Sequence, residues 1–253
     1  MIRLVSDIHG AADALRRVAP GESPLIVLGD LINFIDYRDN GGIVSDVAGH
    51  DFVARVVQLR TRGDFAAAAE LWREHRKGRE EELRQAYTAA IAAAYEEICA
   101  ALQGVDAYVT YGNVDSPEIM KAHLPASARF VEAEVIEIDG IRLGLVGGGV
   151  PTINSPGEIS DEEMADRLAA IGPVDVLCTH VAPAVCPLAR DVVGGRDKGS
   201  LAVLEYIREH QPTHHYFGDI HQPQAVSWRI GRTSCRNVGY FRATGRVFHH
   251  HAD

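Results

Sequence analysis

Cysteine is scarce in this sequence. Cys99, Cys178, Cys186 and Cys235 form no Cys-x-x-Cys pair. They offer no disulfide framework, which fits a reducing compartment. No run reaches the roughly 18 apolar residues that a membrane-spanning helix requires. The chain opens on strand-like residues and not on a basic region followed by an apolar signal core, so a cytoplasmic location is expected. Basic residues are outnumbered, 25 Lys and Arg against 35 Asp and Glu, for a formal charge of −10. That balance argues against binding nucleic-acid backbone, which needs a basic surface. A small phosphate-containing substrate stays open, because bound cations can dominate a local field. There is no Gly-x-Ser-x-Gly elbow, and no cysteine sits in a nucleophile motif. What is present, 46% hydrophobic and 24% charged residues over 253 positions, suits one large domain or a core with an elaboration.

Organisation starts at the N-terminus. Met1 to Val5 reads as a buried strand and runs into Ser6-Asp7-Ile8-His9-Gly10. Residues two apart in extended chain point to the same side, so Asp7 and His9 can aim at one point. One carboxylate and one imidazole at that spacing suit Mn, Fe, Zn or Co. The pattern of an apolar run delivering a polar residue then recurs. Leu25 to Leu28 ends in Gly29-Asp30, and Val105 to Thr110 ends in Tyr111-Gly112-Asn113-Val114-Asp115. Val174 to Cys178 ends in Thr179-His180, and His215-Tyr216-Phe217 ends in Gly218-Asp219-Ile220-His221. Strands alternating with helices predict a layered α/β fold whose ligands sit beyond the carboxyl ends of the strands.

Between these runs, Ala11 to Val18 predicts a helix stopped by Pro20-Gly21. Asp36 to Gly49 reads as loop. Asp51 to Thr61 reads as helix, and Asp64 is a candidate N-cap. Ala66 to Leu102 is rich in Ala, Glu, Arg and Leu and is broken at Gly78, which predicts further helices. Residues 34–104 are therefore expected to form a helical insertion, either a cap or a contact between copies in a homodimer. Mixed signs in Arg73 to Arg84 read as a solvated face. Val131 to Asp139 and Ile141 to Val146 predict a hairpin turning at Asp139-Gly140. Gly147-Gly148-Gly149 reads as a tight turn, not a phosphate cradle. Ser160 and Ser200 are candidate caps of helices through Ile171 and His210. Ala225 to Ile230 and Thr233 to Val238 read as closing strands, and His249 to His251 are set aside from the site.

The five strand ends, taken in order, resemble the calcineurin-like metallophosphoesterases, the binuclear metallophosphatase family. The resemblance rests on Ser6-Asp7-Ile8-His9-Gly10, Gly29-Asp30, Gly112-Asn113-Val114-Asp115, Thr179-His180 and Gly218-Asp219-Ile220-His221, and spans the chain apart from the insertion. It implies a four-layer α/β/β/α sandwich with two packed mixed sheets, forming one domain over residues 1–253. It also implies two metal ions bridged by Asp30. Asp7, His9 and His221 would complete one site, and Asn113 and His180 would belong to the other. Asp219 stands where the family usually has a second-site histidine, and it would either ligate directly or make an outer contact. The implied reaction is hydrolysis of a phosphodiester or phosphomonoester by a metal-bridging hydroxide, with Mn or Fe as leading metals and Zn, Co, Ni and Mg as others. Two cations about 3.5–4 Å apart acidify the water between them and hold phosphoryl oxygens for in-line attack.

A second departure is Val114, where relatives commonly carry a histidine that contacts phosphate and protonates the leaving group. Its loss motivates another reading, a catalytically weak metal-binding scaffold that recruits a protein partner. Asp115 would orient the loop or cap the helix entered at Ser116-Pro117. Arg196 and Lys198 lie in a Gly-rich loop that would contact the substrate's phosphate or stay solvated. Asn113 is also a candidate substrate contact, and Asn237 is a candidate lining residue. His50, His75, His123, His210 and His214 lie away from the strand ends and are read as surface residues.

Overall fold

A computed structural model describes residues 1–193 and 197–251. The elements run β1 (Ile2–Val5), α1 (Ala12–Val18), β2 (Leu25–Val27), α2 (Ile43–Ala48), α3 (His50–Thr61), α4 (Phe65–Arg76) and α5 (Glu80–Ala100). Then come β3 (Ala107–Val109), α6 (Pro117–His123), β4 (Ala128–Phe130), β5 (Ala133–Ile138), β6 (Ile141–Val146), α7 (Asp161–Ile171) and β7 (Val176–Thr179). The remainder is α8 (Cys186–Ala189), α9 (Leu201–His210), β8 (His214–Phe217), β9 (Ser227–Ile230), β10 (Thr233–Asn237), α10 (Phe241–Thr244) and β11 (Phe248–His250).

The strands form two mixed sheets, in orders β11-β1-β2-β3-β4 and β5-β6-β7-β8-β10-β9. Period-2 alternation decides which face each side chain takes. Ile2, Leu4, Ile26 and Leu28 of the first sheet share a core with Leu143, Leu145, Val176 and Cys178 of the second. That shared core packs the sheets face to face. The alternate residues Val5, Leu25 and Val27 point the other way, into a core with Leu15, Tyr95 and Met120 of α1, α5 and α6. On the far side, Leu177 and Phe217 pack against Met164, Leu168 and Val203 of α7 and α9. The α/β class and its paired mixed sheets are as expected.

Local expectations also hold. Asp64 accepts from the Ala67 N–H, Ser160 from the Glu163 N–H and Ser200 from the Val203 N–H, each capping a helix. Asp139 and Gly140 both take positive φ, 54° and 78°, the requirement of a two-residue hairpin turn between β5 and β6. Three details differ. Residues 36–49 contain the short α2, with Ile43 and Val44 buried. Burial, not propensity, pays for that helix. Ala128–Phe130 forms β4 beside β3, a run too short to stand out in sequence. The terminal histidines are not idle, since β11 pairs antiparallel with β1 and the buried His250 bonds the Tyr216 hydroxyl at 2.8 Å.

His215 on β8 ties the core to pH. Its ring is fully buried, and its Nε2 lies 2.8 Å from Thr179 Oγ1. The single Thr179 hydroxyl proton goes to the Val181 carbonyl, so Nε2–H must donate and Nδ1 stays unprotonated. Burial pushes the His215 pKa down to about 3, against an ordinary 6.5. The unfolded chain therefore takes up a proton between those pH values while the folded chain does not. Stability is intact above the unfolded value and falls as pH drops through this window, by on the order of a few kcal/mol. Chemical denaturation of a His215→Leu variant should show a shallower loss of stability from pH 6.5 downward than the parent chain. Equal slopes would show that this ring carries none of the dependence.

Candidate metal centre

The loops after β1 and β2 are zipped together by backbone. Asp7 N–H donates to the Gly29 carbonyl at 3.1 Å and His9 N–H to the Asp30 carbonyl at 2.9 Å. The loop after β8 joins them, with the Asp219 N–H 3.2 Å from both Asp7 carboxylate oxygens. Asp7, His9, Asp30 and Asp219 all take positive φ, between 42° and 61°. Side chains adopt that region at a cost, and such strain collects at functional sites. Gly112 and Gly218 allow the close approach. A Cβ on Gly112 would sit 2.6 Å from His180 Nε2 and collide with Asp30 Oδ1, and one on Gly218 would meet Ser6 and Asp7.

The side chains converge in two groups that could each hold a metal ion, Asp7 with His9 and His221, and Asp7 with Asp30 and His180. Asp30 faces both ways. Its Oδ2 is 3.5 Å from His9 Nε2, and its Oδ1 is 3.5 Å from His180 Nε2. Nδ1 of His9 meets the Ile32 carbonyl at 3.2 Å and Nδ1 of His180 meets the Leu28 carbonyl at 3.0 Å. Those carbonyls accept only from N–H, so each neutral ring turns an Nε2 lone pair inward, the arrangement of metal-bound histidines. His9 Nε2 and His221 Nε2 lie 3.1 Å apart. Two lone pairs at that distance repel unless a proton or cation lies between them.

Five buried side-chain atoms of these loops have no hydrogen-bond partner among the described residues: Ser6 Oγ, Thr110 Oγ1, Asn113 Oδ1, His180 Nε2 and Asp219 Oδ2. Buried polar atoms are rarely left so, and each orphan calls for an ion or water. Asn113 turns its Nδ2 toward Thr152 Oγ1 at 3.5 Å. Asp219 gives its other oxygen, Oδ1, to Lys198 Nζ at 2.9 Å. Lys198 thus turns its ammonium toward the site, with 28% of its side chain still exposed. Burial would lower its pKa, but Asp219 outweighs that effect and holds it above the ordinary lysine value. Arg196 lies outside the described residues.

The charges call for a cation. Burial would raise the Asp7 carboxyl, but His221, His180 and His9 together hold it well below the usual carboxylate range. Burial keeps the His9 pKa low, although Asp30 and Asp7 oppose it, so the ring stays neutral and able to ligate. At His180 burial also acts downward, but Asp30, Asp7, Asp219 and Asp115 outweigh it and raise the pKa. The carboxylates are drawing positive charge to themselves.

Asp115 sits behind the site and does not cap α6. Its Oδ2 accepts from the Asp30 N–H at 2.7 Å and the Gly112 N–H at 2.9 Å. Its Oδ1 accepts from the Leu31 N–H and the Tyr95 hydroxyl, both at 3.0 Å. Burial and the charge of Asp30 push its carboxyl up to about 7. Asn237 braces the β8 loop by donating to the Ile220 carbonyl at 2.9 Å. Three contributors were not anticipated. Tyr95 stands behind Asp115, Tyr240 stacks on His221 at 3.9 Å between ring centroids, and Arg242 links Asp36 to the His9 carbonyl. Nothing local in the sequence marks them, because each acts across a long chain separation.

No known family model matches the sequence, and no curated protein matches it. Solved structures share its fold. One matches at a TM-score of 0.55 and 15% identity, over 97% of this chain and 92% of its own. The protein TT1561 of Thermus thermophilus matches at 0.51 and 14% identity, over 98% and 96%. A novel archaeal phosphodiesterase matches at only 0.36 and 12% identity, over 96% and 86%. Identities this low speak to architecture alone, and the last score carries no argument. No helix among the described residues is long and apolar enough to cross a membrane.

Proposed function

We propose that the chain is a metal-dependent phosphoesterase that hydrolyses a phosphodiester or phosphomonoester at a two-metal centre. The observation that carries this is the presence of three of these unpartnered buried atoms, Asn113 Oδ1, His180 Nε2 and Asp219 Oδ2, beside the converging Asp7, His9 and His221. Asp7, His9, Asp30 and His221 would hold the first cation, and Asp30, Asn113, His180 and Asp219 would hold the second. Carboxylates mixed with imidazoles favour Mn or Fe. Bound cations supply Lewis-acid polarisation of the phosphoryl group and acidify water. The protein's part is to fix the donors through Asp115 and the carbonyls of Ile32 and Leu28, and to offer the Lys198 ammonium beside the phosphoryl oxygens. Residues 34–104 are proposed as a cap over this centre or as a contact between copies, with the C-terminal half of α5 anchored in the core beside the first sheet. Protein stripped of metal and titrated with Mn should take up two equivalents and cleave a nitrophenyl phosphodiester or phosphomonoester. Absence of hydrolysis with any of Mn, Fe, Zn, Co, Ni or Mg would overturn the enzymatic reading.

A scaffold with little activity is favoured by one observation. Val114 packs against the apolar core and offers no proton donor. Two bound equivalents with no turnover would select it.

Lys198 tests the second site. With Asp219 Oδ1 engaged by the ammonium, a cation must share the carboxylate. Lys198→Met should raise affinity for the second Mn equivalent by about tenfold, the order expected when one partly buried opposing charge is removed. Calorimetric titration checks this, and an unchanged second equivalent would move Asp219 out of the ligand set.

A further inference from the structure

Beyond the glycine turn after β6, residues 149–158 close on themselves. The Gly149 N–H donates to the Gly157 carbonyl at 3.0 Å, and the Ile159 N–H returns to the Gly149 carbonyl at 2.9 Å. Glu158 gathers the arc 152–155. Its Oε1 accepts from the Thr152 and Ile153 N–H groups, both at 2.6 Å, and its Oε2 from those of Asn154 and Ser155 at 2.7 and 3.3 Å. A carboxylate with both oxygens so engaged acts as an acceptor alone. Arg60 of α3 braces the same arc from the insertion, donating to the Thr152 carbonyl at 3.3 Å.

This loop is seated on Asn113. A Cβ on Gly149 would lie 2.4 Å from the Asn113 Cβ, and one on Gly157 would meet the Gly112 carbonyl at 2.1 Å. Ser155 Oγ donates to the Asn113 carbonyl. The side chain of Asn113 is met by Thr152, whose Oγ1 lies 3.5 Å from Nδ2. A threonine hydroxyl has a single proton, and Glu158 Oε1 takes it at 2.7 Å. Thr152 Oγ1 is left to accept, so the end of the amide that faces it must be the NH2. Asn113 Oδ1 then points the other way, where it is buried without a partner among the described residues. A cation such as Mn binds an amide through that oxygen and not through the NH2. A flipped amide would set oxygen against oxygen at Thr152 and turn donors toward the cation.

We propose that Thr152, its proton fixed by Glu158, is a positioning residue that holds the Asn113 amide with its oxygen toward the second cation. The assignment rests on the two-metal reading of the centre. Calorimetric titration of the full-length chain with Mn tests it. Thr152→Val keeps the shape of the side chain and removes the acceptor. It should weaken the second equivalent about tenfold, the low end for loss of a group that orients a ligand. The first equivalent should stay unchanged, which also shows that the variant is folded. Thr152→Ser should restore the parent affinity. Asn113→Asp presents an oxygen in either orientation, so adding Thr152→Val in that background should leave the second equivalent unmoved. An unchanged second equivalent in Thr152→Val alone would overturn the proposal. So would a loss that Thr152→Ser fails to restore, or one that persists in the Asn113→Asp background, since packing and not amide orientation would then be at work. Failure of the two-metal reading gives a different pattern, in which the parent chain itself takes up fewer than two equivalents and the proposal falls with it.

Discussion

Asp30→Ala is expected to abolish activity and to remove tight binding of both metal equivalents. The carboxylate stands between the two histidines, 3.5 Å from His9 through one oxygen and 3.5 Å from His180 through the other. Asp7 also lies near both rings, 3.9 Å from His9 and within 4.8 Å of His180, but it is engaged with His221 at 3.4 Å and with the Asp219 N–H. Loss of a ligand contact elsewhere typically costs about tenfold to a hundredfold in affinity. Here one substitution removes a donor from each proposed site, so both equivalents should weaken together. The fold should tolerate the change better than the chemistry. Among the described residues the Asp30 side chain accepts a backbone hydrogen bond from the Val114 N–H alone, at 3.1 Å, and removing it relieves the crowding of carboxylates around Asp7 and Asp219. Metal content after dialysis and calorimetric titration give the readout. Two retained tight equivalents in Asp30→Ala would sink the bridging assignment.

Asp115→Ala should produce the largest loss of stability. Four donors would lose their acceptor at once: the N–H groups of Asp30, Leu31 and Gly112, and the Tyr95 hydroxyl. Each buried donor left unsatisfied costs about 1–3 kcal/mol. A total of about 4 kcal/mol or more follows, even with partial relaxation. For a chain of this size that corresponds to a fall of roughly 10 °C in Tm. Tyr95 also accepts from the Ser116 N–H at 2.7 Å, so the entry to α6 should loosen as well. Asp115→Asn should lie between parent and alanine variant, because its amide keeps one oxygen and presents a donor to the other pair. Thermal unfolding by circular dichroism ranks the three proteins. A Tm for Asp115→Ala within about 2 °C of the parent, a window set by a loss below about 1 kcal/mol, would show that water replaces the carboxylate there.

These two residues also mark how far the sequence could be read. Asp30 was legible because its signal is local: four apolar residues, a glycine and a carboxylate at the end of a run that must be a buried strand. The same local signal exposes Asp7, His9, Asn113, His180, Asp219 and His221. The class of fold follows from the same alternation of apolar runs and helices. Asp115 was legible as a polar residue in the right loop, but its partners were not. Two of its bonds reach back 84 and 85 positions, to Leu31 and Asp30. Lys198 sits in a Gly-rich stretch that reads as solvated loop, and its pairing with Asp219, 21 positions away, is a tertiary contact with no local signal.

By itself the sequence determined which side chains stand at strand ends and which faces of the strands are apolar, because both depend on spacing within a few residues. Only the tertiary structure decided that Ile2, Leu4, Leu143 and Cys178 share one core between facing sheets. Strand order is a contest among distant pairings, and no local pattern encodes it. The same holds for the addition of β11 to the edge of the first sheet and for the Arg60–Thr152 and Thr152–Asn113 contacts that tie the insertion to the loops of the candidate site. Those features arise where segments far apart in the chain bury apolar surface and satisfy hydrogen bonds together, energies that no single segment possesses.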